Sequence, residues 1–315
     1  MNDPHGAGAP HPPAVLPPAV SGERLQLDTP SGRVNCYRAG PAAAPGMPAP
    51  PPMLLVHSVN AAASAYEVRP LHEFFASSRT VYTPDLPGYG LSERRPGEYT
   101  PRLMTDALHA VVALIRREHG PVPVDALALS LASEFLARAA NEDPAAFRSL
   151  ALVSPTGFSG SKRRYGPPGG TRKVDALYRL FSRPGIGAPV FGWLTRPGVI
   201  RYFLQRTWGG KDIDEGMWAY DVATTRQPGA WHAPISFLTA CLFSADVNAL
   251  YEKLEMPVWM SHGVRGDFVD YRGIDTVRGR SNWTFTVFQT GALPHFEVGA
   301  SFLSEYERFL AVNRP

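Results

Sequence analysis

The sequence predicts an α/β fold: a doubly wound, mostly parallel sheet with a helical segment inserted before its last two strands. Three observations predict it. Short apolar runs such as MLLV at 53–56 and VDALAL at 124–129 read as strands buried on both faces. Segments of helical period lie between them, and alternation of the two calls for right-handed crossovers. The rhythm then breaks between about residues 158 and 250 and resumes at MPVWMSHG.

Taken in order, RLQLDTP and GRVNCYRAG form two strands joined at the turn signal Ser31-Gly32. A Pro/Ala-rich connector, 41–52, leads into MLLVHS, and RTVYTPDLPGYG gives the next strand with a Pro/Gly turn behind it. TPRLMTDALHAVVALIRREHG carries helix punctuation at both ends. Thr100 caps the first amides, Pro101 suits the first turn, and Gly120 closes the helix. Leu103, Ala107, Leu108, Val111, Leu114 and Ile115 share one face. VDALAL is a strand, LASEFLARAA a helix and SLALVSP a strand. MPVWMSHG, WTFTVFQ and a final helix ending SEYERFLAV complete the sheet layer.

The domain reading follows. Residues 1–20 form a disordered Pro/Ala-rich arm, since prolines lack the backbone donor and little there can be buried. Residues 21–157 and 251–315 make the core, and 158–250 a helical cap whose segments are interrupted by Pro-Gly pairs at 184–185, 197–198 and 228–229.

Composition excludes several classes. A hydrophobic content of 44% over 315 residues supports a real core. A formal charge of +3 with scattered basic residues gives no nucleic-acid footprint. Cys36 and Cys241 supply neither metal spacing nor a disulfide framework, which suits a reducing compartment. No apolar stretch approaches bilayer length, and the N-terminus lacks a secretion signal. The expectation is a cytoplasmic monomer or homodimer, without cofactor or metal, that meets a small molecule and is not stably inserted in a membrane.

Four stretches in order resemble the capped α/β-hydrolase family over roughly residues 22 to 312: VHS at 56–58, DLPGYGLS at 85–92, ALSLA at 128–132 and MPVWMSHGVRGDFV at 256–269. The resemblance implies the α/β-hydrolase fold, with Ser130 on a nucleophile elbow whose two usual glycines are Ala128 and Ala132. Ser130, Asp267 and His295 follow the scaffold's chain order of nucleophile, acid and base. Asp270 is a nearby alternative to Asp267. The family pattern puts its base histidine five positions before Glu297, where this chain has Ala292. His295 serves only if the loop TGALPHFE is displaced by three residues. Backbone amides of Val59 and Leu131 are the expected oxyanion hole, with Asn60 a possible substrate contact.

Function then reads as a cofactor-independent serine esterase for a small, apolar ester. Cleavage of a carbon–carbon bond beside a carbonyl is a second chemistry open to such a scaffold. A serine elbow argues against dehalogenase or epoxide hydrolase chemistry, which uses a carboxylate there. The alternative of another class is a catalytically impaired relative that binds a small ligand or partner. YRLFSRPGIGAPVFGWLTRPGVIRYFLQRTW at 178–208 either roofs an apolar pocket or, as the simpler account has it, packs the insertion's own core. Its short segments argue against a membrane-surface helix. The basic loop 162–173 is either a guide for an anionic substrate or a solvated hinge.

Overall fold

The structure, a computed structural model, describes residues 15–30, 32–41 and 50–313. Eight strands form one sheet: β1 Glu23–Thr29, β2 Gly32–Ala39, β3 Met53–Val56, β4 Val81–Pro84, β5 Val124–Leu129, β6 Phe147–Val153, β7 Val258–His262 and β8 Trp283–Val287. Their order is β1-β2-β4-β3-β5-β6-β7-β8, antiparallel from β1 through β2 to β4 and parallel from there on. The doubly wound, mostly parallel sheet is therefore as the sequence predicts.

The helices are α1 Arg69–Phe75, α2 Pro101–His119, α3 Ala132–Glu142, α4 Asp175–Phe181, α5 Pro184–Leu194, α6 Pro197–Trp208, α7 Glu215–Thr225, α8 His232–Leu238, α9 Val247–Glu252, α10 Asp275–Arg278, α11 Pro294–Glu297 and α12 Gly299–Val312. Thr100 caps α2 by accepting from the Leu103 amide at 3.3 Å. Six helices, α4 to α9, fill the chain between β6 and β7.

Period-2 alternation sorts the central strands between two apolar layers. Leu54 and Val56 of β3 with Ala126 and Ala128 of β5 join the layer of α2 and α3. Met53, Leu55, Leu127 and Leu129 join the layer of α1 and α12, where Trp259 stacks on Tyr306. Strands covered on both faces must be apolar throughout, which is why their runs stood out in sequence.

The N-terminal arm is corrected in part. Residues 1–14 lie outside the described residues, as do Ser31 of the β1–β2 turn and 42–49 of the connector. Leu16, Ala19 and Val20, however, are buried against Tyr37, Ala65 and Tyr220. The Ala19 amide donates to the Tyr37 hydroxyl, and the Tyr220 hydroxyl donates to the Pro17 carbonyl. Three apolar side chains with two anchored backbone groups suffice to hold this segment, prolines notwithstanding.

The loop 162–173 is also tied down. The amides of Arg164, Gly166 and Arg172 donate to Asn248 Oδ1 and to the carbonyls of Ala245 and Phe243. Lys173 pairs with Glu98 and Asp175. A buried Arg138–Asp246 ion pair joins α3 to the turn before α9.

Candidate active site

Ser130 follows β5 directly and precedes α3 by one residue. Its φ is +50°, in the left-handed region that costs a non-glycine residue about 1–3 kcal/mol. The strain is confined to that residue. Ala128 and Ala132 have ordinary negative φ and are fully buried, so each extra methyl lies in the core and the usual glycines are dispensable. The Ser130 amide donates to the Val153 carbonyl of β6 at 2.9 Å, pinning the turn to the sheet. Its side chain is partly exposed, and among the described residues the hydroxyl has no hydrogen-bond partner.

The amide of Leu131 opens α3 beside Ser130, and that of Val59 lies in the loop after β3. Among the described residues neither amide donates a hydrogen bond. Free donors of this kind, at a helix N-terminus and in the loop after β3, are the groups a developing oxyanion requires.

A polar network holds that loop. Glu67, in the 3₁₀ turn Ala65–Val68, accepts from the Ser58 amide at 2.7 Å, the Ser58 hydroxyl at 3.0 Å and Asn60 Nδ2 at 2.7 Å. Asn60 Oδ1 accepts from the Ala62 amide. Both ends of the Asn60 amide are thus bonded within the loop. The serine replacing the family's glycine supplies one of the donors. His57 Nε2 accepts from the Leu86 amide, so Nδ1 carries the proton and donates to Ser58 O at 2.6 Å. Burial lowers the His57 pKa to about 4, keeping the ring neutral.

The turn DLPGYGLS acts through Asp85. Its carboxylate accepts from the amides of Ala65 and Leu91 and from Asn35 Nδ2. Gly90, at φ +50°, passes so close to that carboxylate that a Cβ would sit 1.9 Å from Oδ1. The motif therefore ties the 3₁₀ turn Ala65–Val68 to β2 and to the chain after β4.

The base and acid are not assembled. His295 is buried in α11, and its Nε2 donates to the Glu67 carbonyl at 2.7 Å. Nδ1 has no partner, the ring packs against Phe296 and Phe302, and burial lowers the pKa to about 4. Asp267 gives its carboxylate to Arg206 of α6, while Asp270 pairs with Arg272. No hydrogen bond joins Ser130, His295 and Asp267 to one another among the described residues.

The three-residue displacement that would let His295 serve is opposed by the anchoring of its loop. Thr290 O accepts from the amides of Val264 and Arg265. The Gly291 amide donates to Glu297 Oε1, and the Ala292 amide to Thr207 O. The Ser154 hydroxyl donates to Ala292 O at 2.7 Å. With the His295 bond, six hydrogen bonds fix the register, each worth roughly 0.5–1.5 kcal/mol. Gly263 locks it further, since a Cβ there would lie 1.9 Å from Gly291 O.

Ala292, by contrast, is two hydrogen-bonded links from the elbow: Ser130 N to Val153 O, then from neighbouring Ser154 Oγ to Ala292 O. A methyl group stands where the family pattern has its base.

Sequence reasoning assigned no role to Glu67, Ser154 or Asp221. Ser154, also at positive φ, ends β6 and ties the base loop to the sheet. Asp221 of α7 is buried with Oδ1 unpartnered; burial and the charges of Glu67 and Asp214 push its pKa well up. The lone glutamate in AYEV was a usable signal for Glu67. A narrow cleft opens between Ala61–Ala63 of the loop after β3, Tyr89, Arg94 and the Thr224–Thr225 end of α7. No helix among the described residues is long and apolar enough to cross a membrane, and no cluster there could hold a metal ion.

Comparison with known proteins agrees with this architecture. The model of the alpha/beta hydrolase family matches residues 53–300. A probable hydrolytic enzyme from Pseudomonas aeruginosa superposes with a TM-score of 0.70 at 18% identity, covering 94% of this chain and 96% of that one. A meta-cleavage product hydrolase from Pseudomonas fluorescens gives 0.69 at 12%, covering 94% and 99%. A thermophilic esterase from Thermogutta terrifontis gives 0.67 at 16%, covering 93% and 100%. No curated protein matches the chain. At these identities the structural likeness speaks for the fold alone.

Proposed function

Because the chain belongs to the alpha/beta hydrolase family, we propose that it is a cofactor-independent hydrolase in which Ser130 attacks the carbonyl of a small, apolar ester. The observation that carries this reading is the strained Ser130 backbone, with a hydroxyl and a following Leu131 amide that lack partners among the described residues. Strain of this kind persists only where the surroundings hold it, and a helix-capping serine would not need it.

The chemistry is addition of Ser130 Oγ to the carbonyl carbon, with the oxyanion received by the Val59 and Leu131 amides. Collapse expels the alcohol, and water then releases the acid. With no side chain bonded to Oγ, its proton passes to solvent. Turnover is slow, because a positioned base contributes about 10²–10⁴-fold. The oxyanion hole alone still supports catalysis of about 10³–10⁴-fold over water in serine hydrolases.

Labelling by a fluorophosphonate and hydrolysis of short-chain p-nitrophenyl esters test the proposal. The wild type should label and hydrolyse, and Ser130→Ala should do neither above the buffer rate. Ala292 favours one second reading, a ligand-binding relative without turnover. An inert wild type that binds apolar esters as well as Ser130→Ala does would replace the first reading with the second.

A further inference from the structure

The helices α4, α5 and α6 are unusual for the surface of a globular protein. A surface helix normally turns a polar face outward and an apolar stripe inward. Here α5 has no charged residue in PGIGAPVFGWL, yet only Gly187 and Phe191 are buried. In α4 nothing is buried, and in α6 only Ile200 and Trp208 are. Phe191, Ile200 and Trp208 thus pack inward, as the simpler account of the sequence had it, but they do not account for the rest of the apolar content. Instead Val174, Leu177, Leu180, Trp193, Tyr202 and Phe203 are each 40–56% exposed. The three helices contact one another in sequence, and Phe268 at 59% exposure extends the apolar area beside Asp267 and Arg206.

Charge selects the occupant of this face. Between residues 175 and 208 the chain carries Arg179, Arg183, Arg196, Arg201 and Arg206 against a single acid, Asp175. Arg201 and Arg206 are paired with Glu215 and Asp267. Arg179, Arg183 and Arg196 are exposed and meet no acidic partner among the described residues. Exposed Trp, Phe, Tyr and Leu beside unpaired arginines match an interface of apolar chains and anionic headgroups. A second copy is the poorer occupant, since a two-fold contact would set like-charged arginines against each other.

We infer that the α4–α6 face docks this protein peripherally on an anionic lipid surface, without insertion of a spanning segment. The Pro-Gly breaks that argue against one long membrane-surface helix leave three short ones, and it is their exposed side chains together, not a single helix, that would meet the headgroup boundary. The inference is independent of the chemistry at Ser130.

Co-sedimentation of the full chain with vesicles tests it, using phosphatidylcholine alone or with about 30% phosphatidylglycerol. The wild type should bind the anionic vesicles at least tenfold more tightly, an advantage lost as salt rises from about 0.05 to 0.5 M. The Arg179→Gln, Arg183→Gln, Arg196→Gln triple variant should lose about 100-fold, roughly fivefold per arginine. Trp193→Ser with Phe203→Ser should lose about tenfold or more. These exposed substitutions should leave the melting curve unchanged. Absence of binding to the anionic vesicles, or binding indifferent to both variants, overturns the inference. So does a stable dimer in sedimentation velocity that Trp193→Ser dissolves.

Discussion

The elbow at Ser130 and the loop 290–297 both serve the carboxyl edge of the sheet, yet they are built in opposite ways. At the elbow the backbone is strained, and among the described residues the side chain lacks a partner and the following Leu131 amide donates to nothing. In the loop the named backbone groups of Thr290, Gly291 and Ala292 are bonded, His295 is held by Glu67, and the residue linked toward the serine is a methyl. Unsatisfied, strained groups are costly to keep and point to chemistry, whereas satisfied ones explain themselves by stability. On the reading proposed above, the difference separates a turn kept strained for its serine from a loop given over to packing.

The sharpest way to break the contrast is to give the loop its base. Ala292→His should raise ester hydrolysis by about 10²-fold and introduce a pH inflection near 6–7, where an ordinary imidazole titrates. The wild-type rate should instead climb steadily with hydroxide. Because the Ala292 side chain is buried, a melting curve must accompany the kinetics. A folded variant with no gain would mean that position 292 does not face the serine.

His295 supplies the next effect. His295→Ala should change esterase activity less than threefold but cost about 2–3 kcal/mol in urea unfolding, since it empties an aromatic cavity and strands the Glu67 carbonyl. The same histidine shapes acid stability. Folded His295 and His57 titrate at about 4, while an unfolded histidine titrates near 6.5, so the unfolded chain takes up protons first as pH falls. The stability these neutral rings contribute is full above pH 6.5 and is lost through the window down to about 4. His295→Ala should flatten part of that decline.

What was legible in the sequence follows the same division. Strands buried on both faces declare themselves as apolar runs, and α2 carried its cap and stop in Thr100, Pro101 and Gly120, so the sheet was readable almost element by element. The strand–turn–helix around Ser130 was readable because it is contiguous in sequence. The environment of His295 was not, because its partner carbonyl lies 228 residues away. Asp267 was read as an acid from chain order, but the Arg206 that claims it lies in the insertion, whose packing leaves little periodic trace. Glu67 and Asp221 escaped for the same reason: burial of a carboxyl is a tertiary fact.

Asp221 makes a smaller, purely energetic test of how the insertion meets the oxyanion loop. Its pKa is raised in the fold by burial and by Glu67, so the folded state keeps the proton while the unfolded chain ionises near pH 4. Stability is full below that pH and falls as pH rises through the raised value. Asp221→Asn should therefore raise the melting temperature by about 2–4 °C at pH 8 and leave it unchanged at pH 4. An equal shift at both pH values would show that the charge is not the cause.

The smallest expected effect is also the one that discriminates best. Asp267 is exposed and bound to Arg206, a surface ion pair of little worth to stability. If that is its whole role, Asp267→Asn should alter esterase activity less than twofold and leave the melting curve almost unchanged. An acid that orients a catalytic histidine behaves quite differently, since its loss costs about 10⁴-fold in kcat where that has been measured in a serine protease. A large loss with Asp267→Asn, matched by one with His295→Ala, would mean that the anchored loop gives way when substrate binds. The six hydrogen bonds around 290–295 would then be the resting state of a triad. Equal indifference at both positions leaves Ser130 working without one.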